Sequence, residues 1–237
     1  MLFSRWIPLL GLCLLLNSQA FGQTRSQVYG DDLTRQAQTL YVSGTTGMTT
    51  FESEAAGSKE TKGSNSYEIG GWFGEARIVG LNVSSHSDLI SFSLNQSSSK
   101  QNFTDVRMAG RLWWFTPSVG ISVSEVDVIQ AGTKTVGLFG TGINTGLGAN
   151  VSIYKGLVVS ADAMRVHNNH VYDKLSQSAA LGDRSEADAH IAFDITDRIV
   201  DLIVGYRTQN YEIQTENETY NEKNAGAYAG VRFGVYF

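Results

Sequence analysis

Hydrophobic and polar residues alternate along most of this chain with a period of two. In residues 136–153, Phe139, Ile143 and Leu147 share one parity with other apolar residues, while glycine and asparagine dominate the other parity. A β-strand sends successive side chains to opposite faces, so this segment predicts a strand with one apolar face and one face of small residues. Similar alternation recurs through the chain over roughly ten residues at a time. The pattern predicts an all-β protein with about ten strands, and eight or twelve strands are the alternatives.

The predicted connections alternate in length, with short turns followed by longer polar segments. Within residues 66–84 the alternation changes parity, and either a bulge near Val79 and Gly80 or a hidden extra hairpin explains the change. The predicted strands are 39–51, 66–84, 89–96, 103–115, 118–129, 136–153, a strand beginning at Leu157, a strand through 186–195, 199–214 and 227–237. The predicted short turns are 85–88, 116–117, 154–156 and 196–198, and the predicted polar loops are 52–63, 97–102, 130–135, 167–184 and 215–224.

The N-terminal residues have the organisation of an export signal. Arg5 precedes an apolar run at 6–16, and small residues follow at 17–20. This order predicts a cleaved signal peptide over residues 1–22. Leu12 stands before Cys13, where lipoprotein processing prefers a small residue, so lipidation is not expected. Residues 23–38 are polar and predict a short lead, which leaves 39–237 as the domain of alternating strands.

Composition narrows the class of protein further. Charged residues make up 17% of the chain, the mean hydropathy is −0.13, and no long apolar run follows the N-terminus. These values argue against a helical membrane protein, which needs about 20 consecutive apolar residues per span. A transmembrane barrel, by contrast, carries its hydrophobicity in alternation. The formal net charge of −5 gives no indication of nucleic-acid binding.

The final predicted strand carries the resemblance to a known family. Phe233, Val235 and Phe237 lie on one apolar face, and the sequence ends on Phe237. This segment resembles the closing strand of bacterial outer-membrane β-barrels, whose last strands commonly end in Phe and serve as the assembly signal. The last strand of a soluble β-sandwich is the alternative.

The resemblance implies that residues 39–237 form a closed antiparallel up-and-down transmembrane barrel in the bacterial outer membrane, with both ends in the periplasm and residues 23–38 as a periplasmic lead. The partners it implies are outer-membrane lipids, lipopolysaccharide, periplasmic chaperones and the barrel-assembly machinery. A monomer is the expected oligomeric state.

Charged residues of both signs fall on the parity that faces the predicted lumen. Because charges in a narrow interior need partners, they predict ion pairs and hydrogen bonds that largely fill it. The leading functional expectation is therefore a structural or surface-interaction barrel, and a narrow channel for ions or small solutes comes second. The predicted luminal network is Asp105, Arg107, Arg111, Asp162, Glu186, Asp188, His190, Asp194, Asp201, Arg207 and Arg232.

Enzyme chemistry has one candidate, by resemblance to omptin-like proteases of the outer membrane. Asp188 and His190 match an Asp-His pair, and Glu125 with Asp127 could supply a second acidic pair near the outer rim. An omptin has two Asp in the first pair, and the His-x-Ser-Asn-Gly segment of outer-membrane phospholipases is missing here. The lipid A deacylase pattern needs a His near the C-terminus, but the last His is His190. We therefore expect a non-enzymatic protein, with a rim protease as the third function.

A metal site has one weak candidate. His167 and His170 have a usable spacing, but they lie in a segment rich in Ser and Asn with no cysteine nearby. The sequence therefore predicts neither a metal nor a cofactor.

Overall fold

The structure is a computed structural model, and it describes residues 40–54, 58–73, 78–92, 97–130, 133–154, 156–173, 180–196, 199–214 and 219–235. The strands within these ranges are β1 (Leu40–Ser53), β2 (Ser58–Phe73), β3 (Val79–Phe92), β4 (Ser97–Gly110), β5 (Phe115–Gln130), β6 (Thr133–Tyr154), β7 (Leu157–Asp173), β8 (Ala180–Asp194), β9 (Val200–Gln214) and β10 (Thr219–Val235). Each strand pairs antiparallel with its neighbours in chain order, and β1 pairs with β10 to close a barrel. The prediction of an all-β, closed, up-and-down barrel of ten strands is confirmed.

None of the described residues forms a helix long and apolar enough to cross a membrane.

The predicted number of strands is correct, although the predicted strand 66–84 and the predicted turn 85–88 are wrong. The predicted strand 66–84 spans the end of β2 and the start of β3, so the hidden hairpin is correct and the bulge is not. The predicted turn at 85–88 lies in the middle of β3, so the two errors cancel in the count. His86 and Asp88 face inward there while Ser85 and Ser87 face outward, and a segment that is polar on both faces has no hydrophobic alternation to mark it as a strand.

Several predicted polar loops are also parts of strands. Residues 58–63 belong to β2, 97–102 to β4, 167–173 to β7 and 219–224 to β10. The backbone of these polar segments is hydrogen-bonded between strands, so the sheet extends well past the apolar part of the chain. The predicted turn 116–117 lies within β5, and the chain instead reverses at Leu112–Phe115, where Trp113 has a φ of 58°.

The outer surface divides the barrel into two halves. We call the end where β1 begins and β10 ends the terminal end, and the opposite end the loop end. On β10 the outward residues are apolar from Val235 back to Ala227, and Lys223 is the next charged outward residue. On β9 they are apolar from Leu202 to Tyr206 and polar from Thr208 onward. The part of the barrel with the apolar outer surface is the belt half, and the rest is the loop-end half.

The interior has the opposite arrangement. In the belt half the inward side chains include most of the charged residues, whereas the loop-end half holds a compact apolar cluster beside buried polar side chains such as Gln101, Asp88 and Asn224. We call this cluster the cap, and Phe51 and Ile90 form a smaller apolar pair at the same end. The cap consists of Phe103, Val126, Leu138, Leu181, Tyr211 and Ile213.

Candidate functional site

The luminal network is centred on the Asp188 carboxylate. Its Oδ1 lies 2.9 Å from Nδ1 of His190, and the Tyr228 hydroxyl lies 2.8 Å from both carboxylate oxygens. Arg207 donates from Nε to Asp188 Oδ2 at 3.2 Å, and the same Nε lies 3.4 Å from Glu186 Oε1. The Asp188 and Arg207 side chains meet because Asp188 on β8 lies opposite Arg207 on β9 in the strand register. Burial of a carboxylate is tolerated when its oxygens are paired in this way.

A second ion pair lies across the lumen from this centre. Arg107 on β4 donates from Nη1 to Asp162 Oδ1 on β7 at 2.7 Å, although the strands are separated by β5 and β6. Small residues on those two strands leave the space that this pair crosses. A Cβ added at Gly146 would lie 2.8 Å from Oγ of Ser118, and one added at Gly148 would lie 3.0 Å from Asp162 Oδ2. The glycine face of β6 is therefore filled by side chains from other strands.

Tyr228 reaches Asp188 because it lies over a glycine. A Cβ added at Gly205 on β9 would be 2.6 Å from the Tyr228 ring and 2.7 Å from the Cβ of His190. The same packing recurs nearer the terminal end, where Tyr41 lies over Gly70 and Trp72 lies over Gly80. Glycine at these inward positions lets a large ring lie flat along the wall.

The terminal end of the lumen contains a separate polar group. The Tyr41 hydroxyl donates to Glu68 Oε1 at 2.6 Å, and the Asn82 amide donates to the Tyr41 oxygen at 3.0 Å and also contacts Glu68. Arg232 Nη1 lies 4.0 Å from Asp201 Oδ2. Arg111 is in the turn after β4, where its guanidinium lies 4.3 Å from the Trp72 ring centre. Asp194 pairs in register with Asp201 at this end.

The loop-end half holds one fully buried ion pair that sequence reasoning missed. Arg184 contacts Asp105, which also accepts a hydrogen bond from Ser122, and the guanidinium stacks on the Phe103 ring of the cap at 4.6 Å. The sequence placed Arg184 at the end of a loop, but a register shift in β8 turns both Leu181 and Arg184 inward. Its parity matches that of Glu186, Asp188 and His190, and extending the strand backward would have found it.

Comparisons with known proteins agree on the architecture. The chain is similar to the outer-membrane protease OmpT from Escherichia coli, with a TM-score of 0.51 at 9% identity over 83% of this chain and 96% of that one. Weaker similarities are to the Neisserial surface protein A (TM-score 0.39, 15% identity, 84% and 99% covered) and to the CymD monoaromatic hydrocarbon channel (TM-score 0.43, 8% identity, 86% and 91% covered). No protein-family model and no curated protein matches the chain. The chain has the fold of bacterial outer-membrane β-barrels.

Within this outer-membrane barrel fold, the four candidate protease residues do not come together. Asp188 and His190 face the lumen of the belt half, between the outward residues Ala187, Ala189 and Ile191. Glu125 and Asp127 have the outward parity of β5, because Val126 between them is fully buried in the cap. The Glu125 carboxylate accepts a hydrogen bond at 3.2 Å from the Asn102 amide. The barrel wall thus separates the two pairs, and Asp188 lies away from the rim.

The remaining predicted site residues lie on the outer surface or beyond the described residues. His167 is exposed on β7, with Nδ1 3.3 Å from Asp183, and the side chain of His170 lies outside the described residues. Across the described ranges, no three His, Cys, Asp or Glu side chains are close enough to hold a metal ion. Phe233 and Val235 of the predicted assembly signal face outward and are more than half exposed. Phe237, the signal peptide 1–22 and the lead 23–38 lie outside the described residues.

Proposed function

We propose that this protein is a non-conducting outer-membrane barrel that acts as a structural or surface-interaction protein through its loop-end half. The cap is the observation that supports the proposal. Its six side chains are at most 4% exposed, and they meet across the lumen from β4, β5, β6, β8 and β9. Apolar side chains buried to this degree offer a hydrated ion no polar partner in the part of the lumen that they occupy.

The polar lumen beneath the cap supports the same proposal. Most of its charged groups are paired, and a cavity of about 20 Å³ lies among Thr45, Ser66, His86, Arg207 and Tyr228. A cavity of this size accommodates about one water molecule. A narrow channel conducts ions through a continuous file of water molecules or ligating groups. A cavity for one water molecule beneath an apolar cap therefore favours a closed barrel over a channel.

The outer surface of the loop-end half supports a role in surface interaction. Most outward residues there are polar or charged, including Glu52, Lys59, Lys100, Asn210 and Lys223. An apolar belt of roughly ten residues per strand suffices to cross a bilayer, so the remainder of the sheet stands in water. We infer that this hydrogen-bonded wall of the sheet is the surface that meets a partner outside the membrane.

Planar-bilayer recording of the purified barrel tests the closed lumen. We expect no unit conductance from the wild-type protein under conditions where a general porin gives steady steps. A steady unit conductance from wild type would contradict the proposal and favour the channel.

Thiol labelling of intact cells gives an independent test. Ser160→Cys places a thiol in the lumen below the cap, and Thr61→Cys places one on the exposed outer face of β2 at the loop end. With a membrane-impermeant reagent added outside, we expect the thiol at 61 to react and the thiol at 160 to stay unmodified. Equal labelling at both sites would mean that the lumen is open at the loop end.

A further inference from the structure

The loop-end interior contains a histidine–aspartate pair that the proposed function does not use. His86 and Asp88 are successive inward residues of β3, and Nε2 of His86 lies 2.5 Å from Oδ2 of Asp88. His86 lies opposite Phe103 of the cap in the strand register, and Ile90 follows Asp88 as the next inward residue. The pair therefore lies between the cap and the smaller apolar pair at the same end of the barrel.

The Asp88 carboxylate depends on this imidazole. Its side chain has no exposed surface, and neither carboxylate oxygen accepts a hydrogen bond from any other group of the described residues. An ionised carboxylate that is buried without a partner is strongly unfavourable. A ring nitrogen and a carboxylate oxygen at this distance must share a proton, because their lone pairs would otherwise repel each other. The closed interior therefore holds one proton on the pair.

The histidine–aspartate contact in the belt lumen differs in this respect. The Asp188 carboxylate, which contacts His190, also accepts hydrogen bonds from the Tyr228 hydroxyl and from Arg207. Loss of a proton from His190 leaves Asp188 with these two donors. The same loss from His86 leaves its carboxylate with none.

The contact on the outer wall also has a second donor. His167 lies beside Asp183, and Arg165 donates to the same carboxylate at 2.8 Å. This pair is exposed to water, so its protonation has little effect on folding. The pair in β3 is thus the one in the described strands whose carboxylate is both buried and dependent on a histidine.

The cations on the strands that face the pair already have partners of their own. Lys62 on β2 lies 3.2 Å from Glu60, and Arg207 on β9 contacts both Glu186 and Asp188. The other titratable or charged groups that face the pair from neighbouring strands are Tyr211, Glu222, Tyr228 and the Asp105–Arg184 ion pair. Since these groups are neutral, anionic or mutually paired, the imidazole is the group that compensates Asp88.

A small cavity gives the imidazole contact with water. Nδ1 of His86 has no hydrogen-bond partner among the described groups, and the ring lines the cavity of about 20 Å³ together with the Thr45 and Ser66 hydroxyls. This volume accommodates about one water molecule. The imidazole can therefore exchange its proton without any rearrangement of the cap.

We propose that the His86–Asp88 pair makes the loop-end interior sensitive to pH, so that acid keeps it closed and rising pH favours its opening. Opening exposes the imidazole to water, where it releases its proton above a pH of about 6.5. Because the closed state retains this proton, the stability that the pair contributes is complete below about pH 6.5 and falls as the pH rises. The proposal concerns the interior of the loop-end half and is independent of whether its outer wall meets a partner.

Urea unfolding in lipid vesicles at pH 7 and pH 8 tests the pair. One proton released on unfolding raises the equilibrium constant for unfolding by about tenfold per pH unit, and we expect this rise in the wild-type protein. Asp88→Asn removes the buried charge, and we expect its unfolding constant to be the same at both pH values. Because the comparison is between two pH values of one protein, a change in the overall stability of the variant does not affect it.

His190→Gln is the matched control from the belt lumen. Asp188 keeps Arg207 and Tyr228 in this variant, so we expect the wild-type dependence on pH. Heat-modifiability on a gel establishes that each variant is folded before it is compared.

Hydrogen exchange locates the effect within the barrel. We expect the protection of the Ile90 backbone amide to be lower at pH 8 than at pH 7 in the wild-type protein, after correction for the intrinsic exchange rate. In Asp88→Asn the protection of this amide should be equal at the two pH values.

Three results would overturn the proposal. The first is a wild-type unfolding constant that is the same at pH 7 and pH 8. The second is a tenfold rise that persists in Asp88→Asn, which would show that another group releases the proton. The third is a rise that disappears in His190→Gln, which would assign the pH dependence to the belt lumen.

Discussion

The belt half and the loop-end half are built from the same strands but carry their apolar side chains on opposite faces. In the belt half the outer wall is apolar and the lumen holds the Asp188, Arg207 and Arg107 ion pairs. In the loop-end half the outer wall is polar and the lumen holds the apolar cap. Each strand continues through both halves with the same side-chain alternation. Apolar side chains therefore move from the outer face to the inner face along a strand without any change in the fold.

The difference follows from what surrounds each half. Against lipid, the outer face already takes apolar side chains out of water, so the interior can hold paired charges. In water, the same sheet must bury apolar area to be stable, as a soluble barrel does. The belt half is therefore organised like a membrane protein, and the loop-end half like a small soluble β-barrel built on top of it.

The largest effect is expected from breaking the buried ion pair of the loop-end half. Asp105→Ala leaves the guanidinium of Arg184 buried without its carboxylate, and a loss of about 3–5 kcal/mol in the free energy of unfolding is expected. Asp183→Ala removes the carboxylate of the exposed pair with Arg165, and its cost should stay below about 1 kcal/mol. Urea unfolding in lipid vesicles, followed by tryptophan fluorescence, measures both. Equal losses of unfolding free energy in the two variants would mean that water reaches the interior of the loop-end half.

The second largest effect is expected from placing a charge on the outer surface of each half in turn. Val204→Arg puts a charge on the lipid-facing surface of β9, where about 2–4 kcal/mol of destabilisation is expected near the bilayer centre. Asn210→Arg makes the same addition farther along the same face, where a surface change should stay within about 0.5 kcal/mol. The same unfolding measurement applies. Similar losses of unfolding free energy at 204 and 210 would argue against a boundary between lipid-facing and water-facing surface between these two positions.

A smaller effect tests the packing of the polar lumen. Gly205→Ala places a methyl group 2.6 Å from the Tyr228 ring, and overpacking of this kind costs about 1–3 kcal/mol. Gly63→Ala is the control, since the nearest atom to its new methyl group would be 4.0 Å away on the exposed wall. If Gly205→Ala unfolds at the wild-type urea concentration, the ring is not held as described.

The smallest effect is local and concerns pH at the loop end. The Asn221 backbone N–H and side-chain amide donate to Glu54 at 2.7 and 3.1 Å, and these bonds lower the pKa of the Glu54 carboxyl. Because the folded pKa is below the unfolded one, the contact is present above the ordinary glutamate pKa and is lost as pH falls through the lower value.

Nuclear magnetic resonance of the Asn221 amide follows this titration directly. We expect its shift to move with a midpoint below the ordinary glutamate pKa of about 4.3, and Glu54→Gln should abolish the change. A midpoint at or above the ordinary value would show that the contact does not persist in solution.

The belt half was predictable from sequence because both of its faces have distinct chemistry. The alternation of glycine and apolar residues in β6 placed its faces correctly, and the charged residues of β8 and β9 were assigned to the lumen side on which they lie. These predictions depended on one rule, apolar outward and polar inward, which holds as far as the belt extends.

The loop-end half was mispredicted because that rule reverses there. In β5 the apolar residues change parity between Val123 and Val126, yet the pairing with β6 is continuous across both. Val126 is apolar because it belongs to the cap, whereas Glu125 and Asp127 lie on the opposite, outward face of the strand. A change of hydrophobic parity without a turn signal therefore marks the level at which a strand leaves the membrane.

Depth-dependent quenching on β5 tests this reversal most directly. Ile121→Cys and Glu125→Cys are both outward on one strand, and each is labelled with a fluorophore in a Cys13→Ala background. We expect the label at 121 to be quenched by nitroxide on lipid chains and spared by aqueous iodide, and the label at 125 to show the reverse. Identical quenching profiles at the two positions would contradict the account of a lipid-facing half joined to a water-facing half.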